Sequence, residues 1–379
     1  MSAVLTHHNF TELTGFTKDL AYNVFDIAPF LDNPAIIPKG VVIEARLDPG
    51  SLAKVMGIRH VGSVINPQEA VSNQLKYPVR VTTAGAAANI EILSAPDTGG
   101  LGIHLYIATE FHGDLWEFYT TMTVTAGANT GTWTLNTAVP QGGDMLTDVQ
   151  SVIEVAESVS AVQFGWRPFG STSVAQYYSQ TANNNCPSCE HIPTDSLARF
   201  EFNSGVDKAG SINSYNIGYQ KFGTDDEGQS FSWYTDPLAL PSSIFSGIIG
   251  NSTFVVGSLY PTLQTLGFDA RYACLKVRTT PPVGGLSGYI REVGSNTPRR
   301  SLTSNNVNIR QYQNYWVKLT PEYEFEYVLG AHTSVFIDDL TIYVVGFLGF
   351  NQQPTEPYPL SMSKHIKCSS KSMSSLVKI

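Results

Sequence analysis

Residues 322–327 read Glu-Tyr-Glu-Phe-Glu-Tyr, and no other stretch limits the fold so sharply. On a helix, Glu322, Glu324 and Glu326 would be spread around the barrel. On a pleated strand they share one face, and Tyr323, Phe325 and Tyr327 share the other. A turn at Leu329-Gly330-Ala331-His332 follows, and then a β-branched and aromatic run over residues 334–347. Residues 340–350 are apolar at nearly every position, the pattern of a strand covered on both sides. The expectation is an antiparallel closing pair packed into a sandwich or barrel.

The rest of the chain supplies matching signals. Short strand patterns fall at residues 41–47, 79–83, 89–93, 103–111, 116–125 and 130–139, with turn residues between them. In residues 103–107, Ile103, Leu105 and Ile107 alternate with His104 and Tyr106. Residues 51–59 are ambiguous between a short helix and a strand. A second series begins near Leu197, where Ala198, Phe200 and Phe202 are expected to point inward, and continues through residues 215–219, 271–278 and 288–292. Recurrence about every dozen residues, without intervening helical periods, predicts an all-β antiparallel sandwich rather than alternating βαβ units.

Four regions are expected. Residues 1–39, apolar and interrupted by Pro29, Pro34 and Pro38, read as an N-terminal arm, with Phe16, Phe25 and Phe30 as its anchors. Residues 40–194 and 195–352 read as two β-sandwiches, divided after the polar loop at 171–193. Residues 353–379 read as a basic tail carrying Lys364, Lys367, Lys371 and Lys378. No sequence repeat is expected between the two halves.

Charged residues make up 15% of the 379-residue chain, against roughly 25% in average soluble proteins. A surface of neutral amides and hydroxyls is cheaper to cover than one of ions, which suits a chain that buries much of its outside against partners. The net charge of −9 argues against the chain as a whole gripping nucleic acid. The longest apolar run, residues 342–350, is far short of the ~20 residues of a membrane span. Neither a signal peptide nor, with four cysteines, a disulfide framework is expected.

Chemistry-bearing motifs are sparse. Cys186 and Cys189 have the spacing of half a zinc site and His191 could add a third ligand, but half a site is the usual false positive and no metal is expected; a loop disulfide or two plain thiols remain open. Asp338 and Asp339 are neighbours on a strand pattern and so point to opposite faces. No phosphate loop, nucleophile elbow or metalloprotease helix is visible. His104 and His112 bracket one strand pattern with Asp114 nearby, and are read as ordinary hydrogen-bonded histidines. The expectation is a non-enzyme with no cofactor.

The apolar Pro-rich leading segment, the Thr/Ser/Asn-rich β series with aromatic strands, the low charge and the polar C-terminal extension together resemble the jelly-roll coat proteins of picorna-like positive-strand RNA viruses. In length and double β series the chain is most similar to the large coat protein of comovirus type, which carries two jelly rolls; a single roll with long insertions is the alternative. The resemblance implies a structural subunit of an icosahedral virion. It would assemble in the host cytoplasm with copies of itself and sister coat proteins, around an RNA genome that the lysine tail could face. A different class also fits the closing strands, namely carbohydrate-binding jelly rolls and phage-tail host-recognition proteins. There Trp316, Tyr323 and Tyr327 would stack on sugar rings.

Overall fold

The computed structural model describes residues 5–48, 54–63, 69–71, 74–113, 116–126, 134–137, 149–158, 163–172, 177–179, 190–195, 197–204, 212–221, 229–239, 255–259, 268–279, 288–295, 300–301, 311–329 and 340–351. These residues are almost entirely strand. The first nine strands are β1 (Leu5–Leu13), β2 (Asn23–Asp26), β3 (Gly40–Leu47), β4 (Lys54–Arg59), β5 (Glu69–Val71), β6 (Gln74–Arg80), β7 (Thr82–Ala84), β8 (Ala87–Ser94) and β9 (Ile103–Phe111). The next eight are β10 (Trp116–Ala126), β11 (Thr134–Thr137), β12 (Val149–Ser158), β13 (Gln163–Pro168), β14 (Tyr177–Ser179), β15 (Glu190–Pro193), β16 (Arg199–Ser204) and β17 (Ile212–Lys221). The last eight are β18 (Gln229–Ala239), β19 (Val255–Ser258), β20 (Phe268–Thr279), β21 (Gly288–Arg291), β22 (Arg300–Ser301), β23 (Gln311–Lys318), β24 (Glu324–Leu329) and β25 (Leu340–Asn351).

The pairing of these strands is antiparallel and follows one rule three times. The sheets are β1-β9-β3-β6 with β2-β8-β4-β5, then β10-β17-β12-β15 with β11-β16-β13-β14, then β18-β25-β20-β23 with β19-β24-β21-β22. With β7 set aside as a side partner of β8, each set runs first-eighth-third-sixth in one sheet and second-seventh-fourth-fifth in the other. That is the interleaved double Greek key of a jelly roll. The all-β jelly-roll expectation holds.

The expected division after residue 194 does not follow this pairing. β15 and β16 lie on either side of it and belong to the same set, and the sets end at Phe111, Lys221 and Asn351. The polar loop at 171–193 contains two short strands, β14 and β15, whose length leaves almost no periodicity to read.

Residues 5–39 also depart from the expectation of an arm. β1 pairs with β9 and β2 pairs with β8, so this segment supplies the first two strands of the first set. Pro29, Pro34 and Pro38 fall after β2, where a 3-10 turn at Ala28–Phe30 redirects the chain. Phe16, Phe25 and Phe30 pack on the first core, with Phe16 edge-on to Phe25 and Phe25 stacked on Phe30. The ambiguous stretch near residue 54 is strand β4. The closing pair is not a hairpin: β24 and β25 are consecutive but lie in opposite sheets. The tail at 353–379, Asp338, Asp339 and Asp114 lie outside the described residues.

Two kinds of core result from the alternation of side chains. Val41, Ile43 and Ala45 of β3 face Ile90 and Ile92 of β8 inside the first sandwich. Ala273 and Leu275 of β20, Tyr315 and Val317 of β23 and Phe325 and Tyr327 of β24 fill the third. In the second, Trp166, Phe200, Phe202 and Ile192 are buried, with the Trp166 and Phe202 rings 5.9 Å apart. Phe200 and Phe202 thus point inward as expected.

The intervening residues of the first-eighth-third-sixth sheets belong to neither sandwich interior. Val42 and Ala108 from the first set, Trp116, Phe118 and Ile217 from the second, and Phe231, Cys274, Trp316, Val345 and Leu348 from the third form one separate apolar cluster with Phe111. The three sheets therefore meet back to back in a shared seam. This explains the near-continuous apolar run of β25: Val344 and Phe347 enter the third sandwich while Val345 and Leu348 enter the seam. Gly40 marks the closeness of approach, because a Cβ there would come within 2.3 Å of the Phe118 ring of the second set.

Candidate functional site

The seam is held by aromatic side chains delivered from strand ends. Phe111 ends β9 and Trp116 opens β10, so the short link between the first two sets places both rings at the junction, 4.5 Å apart. Phe231 meets Trp116 and Trp316 in edge-on contacts at 5.2 and 5.8 Å. Such geometry lets the positive edge of one ring face the negative face of the next.

His191 of β15 sits among them, 3% exposed, with its ring centroid 5.9 Å from Phe111, 6.0 Å from Trp116 and 5.6 Å from Trp316. Trp316 Nε1 donates to His191 Nε2 at 3.2 Å. An indole N–H only donates, so Nε2 is the unprotonated nitrogen of a neutral imidazole. That lone pair is committed to Trp316 and is not offered to a metal. Cys186 and Cys189 lie outside the described residues, and among the described residues no group of three His, Cys, Asp or Glu side chains converges as a metal site.

The residues considered for sugar stacking are placed differently from an exposed platform. Trp316 lies in the seam, Tyr327 is inside the third sandwich, and Tyr323 packs against that core from a turn with φ of 61°. Burial removes the faces of Trp316 and Tyr327 from a ligand, while Tyr323 stays partly exposed. The β24 alternation itself is as read: Phe325 and Tyr327 are buried, while Glu326 faces outward to Arg291.

A repeated corner was not expected from the sequence. Arg59-His60-Val61-Gly62-Ser63, Arg167-Pro168-Phe169-Gly170-Ser171 and Arg291-Glu292-Val293-Gly294-Ser295 share the pattern Arg-x-(Val/Phe)-Gly-Ser. Each Arg lies at the end of the fourth strand of its set, last in β4 and β21 and last but one in β13. In each turn the glycine has positive φ, 80°, 75° and 73°. The Ser N–H donates to the carbonyl three residues back at 3.1, 3.1 and 3.2 Å. Glycine fits that third turn position without the penalty a Cβ would add.

Each Arg is registered opposite a glutamate of the seventh strand, Glu91, Glu201 or Glu326. The Arg Nε–Glu Oε2 distances are 2.5, 2.6 and 2.5 Å. The other oxygen of Glu91 accepts from Gly62 N at 3.3 Å, and that of Glu326 from Gly294 N at 3.1 Å. One carboxylate thus fastens both the neighbouring strand and the turn beyond it. The signal was present as a five-residue string recurring three times, too short to register in a comparison of halves.

Polar groups elsewhere are similarly engaged. His104 bridges two carboxylates, Nδ1 to Glu12 Oε1 at 2.7 Å and Nε2 to Asp48 Oδ1 at 3.1 Å. The Glu12 contact, reinforced by Asp48 and opposed by burial, raises the His104 pKa above the usual imidazole value. Asp48 accepts from Gly102 N, and this, with His104, holds its carboxyl below the usual range. His112 Nε2 lies 2.8 Å from Glu110 Oε2, and Glu110 Oε1 accepts from Asp32 N. His104 thus ties β9 to β1 and to the turn after β3, whereas His112 bonds a glutamate two residues back in its own segment. In the seam-lining residue Tyr272, burial pushes the phenol up to about 12.

No family model matches the chain. No curated protein matches it either. Among solved structures, a chain from the X-ray structure of the entire lipid-containing bacteriophage PM2 aligns with 10% identity over 87% of this chain and 95% of that chain, at a TM-score of 0.14.

Proposed function

We propose that the chain is a structural subunit of a viral capsid. The observation that carries this reading is the threefold recurrence of jelly-roll strand order around one aromatic seam. Three sandwiches that share one apolar seam give a unit that can be repeated. A shell is built by repeating such units under symmetry, so that modest contacts accumulate. The low charge density supports the same reading, since few ions must be desolvated when the outside is covered.

The finer reading is an icosahedral, picorna-like shell around RNA, assembled in the host cytoplasm with sister coat proteins and performing no catalytic step. The histidines and carboxylates described above are spent on holding strands and turns, which supports that last point. Lys364, Lys367, Lys371 and Lys378 give the tail a positive run without an acid between them, and we assign it to the packaged RNA. Phe16, Phe25 and Phe30 anchor the leading segment within its own sandwich, so an arm crossing to neighbours forms no part of the proposal.

Expression of the full chain followed by electron microscopy tests the central claim. Regular closed particles, or the ring-shaped intermediates of a shell, are the expected result. A solitary chain that stays monomeric at all concentrations and binds glycans would replace it with the carbohydrate-recognition reading. For the tail, removal of residues 361–379 should lower the packaged RNA and its sensitivity to salt. Unchanged RNA content would sink that assignment alone.

A further inference from the structure

We infer that His191 is a proton-operated latch of the seam: when its imidazole takes up a proton it must release Trp316, and the three sandwiches lose their common junction. The inference goes beyond the capsid reading and does not depend on it. Its ground is the position of one titratable ring where all three sets meet. His191 belongs to the second set, Phe111 to the first and Trp316 to the third, and the His191 centroid lies 5.9 Å and 5.6 Å from theirs. Trp116, at 6.0 Å, closes the second-set side.

The direction of the hydrogen bond fixes what a proton does. Trp316 Nε1 donates to His191 Nε2 at 3.2 Å, and an indole nitrogen has no lone pair to give back. The neutral imidazole therefore carries its one hydrogen on Nδ1, and a second proton has only Nε2 to bind. Binding there sets two N–H groups head to head at hydrogen-bond distance. Trp316 also turns its N–H edge, the positive rim of the indole, toward the imidazole, so its negative face does nothing for a cation. His191 is 3% exposed, and bulk water does not solvate a charge there. The closed seam disfavours the charged form, and the open seam admits it.

The other titratable groups on the packed elements are engaged elsewhere or carry the wrong sign. Beside Phe111, Glu110 and His112 bond each other at 2.8 Å. Beside Trp116, Glu117 is bonded to Lys39 at 3.2 Å. β23 brings the exposed Lys318, and β20 brings the buried Lys276 and the Cys274 thiol, which lies opposite Trp316. On β12, Ile153 lies opposite His191, and Glu154 and Glu190 form the next register pair. The arrangement is the reverse of His104, whose two carboxylates favour the protonated ring.

Linkage sets the size of the effect. An imidazole freed by opening takes its proton near the ordinary value of about 6.5, while the closed one stays neutral, so the opening constant rises about thirtyfold between pH 7.5 and pH 5. The junction is fully held above the ordinary value and weakens as pH falls below it. The first and third sandwiches each have a buried interior separate from the seam, so acid is expected to part folded sandwiches rather than melt them.

The test uses the full chain at both pH values, with His191→Gln as the variant that accepts from Trp316 through its amide oxygen and does not titrate. Acrylamide quenching of tryptophan emission reads the opening of the seam, where Trp116 and Trp316 are buried. Followed through a urea titration, it gives the opening constant, while far-ultraviolet circular dichroism reports whether strands persist. In the wild type the constant should rise about thirtyfold at the lower pH, with quenching changing before the strand signal. In His191→Gln it should stay nearly level. His191→Phe, equally unable to titrate, serves if the Gln variant does not fold at neutral pH. His112→Gln should keep the wild-type response, which separates the latch from the histidine beside Phe111. A flat wild type, an equal rise in the His191 variants, or a rise that disappears with His112→Gln would each overturn the assignment.

Discussion

A single carboxylate at each corner does more than its neighbours. Glu91 takes the Arg59 guanidinium and the Gly62 N–H, while Arg59 also lies 3.8 Å over the Tyr22 ring. Glu91→Gln keeps the shape and removes the charge that makes these hydrogen bonds strong. With both partners largely covered, the loss should be about 1–3 kcal/mol in urea unfolding, larger than for an exposed pair. Glu326→Gln should behave alike, since Arg291 and Gly294 occupy the same places. A change below about 0.5 kcal/mol in both would show that the corner is held by packing alone.

His104 gives the residue scale its pH dependence. Its folded pKa is raised, so the stabilisation is complete below the ordinary imidazole value and fades as pH rises through the higher folded value. Asp48 is lowered, so its contribution is present above the ordinary carboxylate value and is lost as pH falls through the lower folded value. Together they favour the fold most between about pH 4 and about pH 6.5. His104→Gln should therefore narrow the gap in thermal midpoint between pH 5.5 and pH 8.5 seen in the wild type. Solvent reaches this site, so the effect is modest, and an unchanged gap would mean that the bridge contributes nothing.

Among elements, strand β3 shows how one strand serves two interfaces. Val41 and Ile43 enter the first sandwich, Val42 enters the seam, and Glu44, two residues on from Val42, is buried with Arg46 Nε 2.6 Å from its carboxylate. Gly40 opens the strand because Phe118 lies against it. Gly40→Ala should cost about 1–3 kcal/mol, as overpacking of a filled site does, and Phe118→Leu should recover part of that by making room. Failure of the second change to rescue the first would place the strain in β3 itself. Burial on both faces is also why β25 was legible from its composition. β5, β14 and β22, at two or three residues each, carry too few side chains for a period to emerge. The set boundaries are hidden because link length does not mark them: β9 passes to β10 across four residues and β17 to β18 across seven, whereas β14 passes to β15, inside one set, across ten.

At the scale of the whole molecule, the seam decides whether three sandwiches behave as one body. Each has its own interior, which would let each melt separately, but the seam puts Trp116, Phe231 and Trp316 from two sets in mutual contact beside Phe111 of the first. Trp316 is the side chain whose removal tests the coupling, because it joins the ring cluster and donates to His191 of another set. Trp316→Phe keeps most of the packing and should cost about 1 kcal/mol for the lost hydrogen bond. Trp316→Ala should cost about 3–5 kcal/mol through the cavity. The wild type should unfold in one calorimetric transition with equal calorimetric and van't Hoff enthalpies. Trp316→Ala should split it, the third set melting first, because its β23 then loses its hold on the seam while the first sandwich core is untouched. A single transition that simply moves to lower temperature would mean that the remaining seam contacts suffice to bind the three sets, and that Trp316 is one contributor among equals.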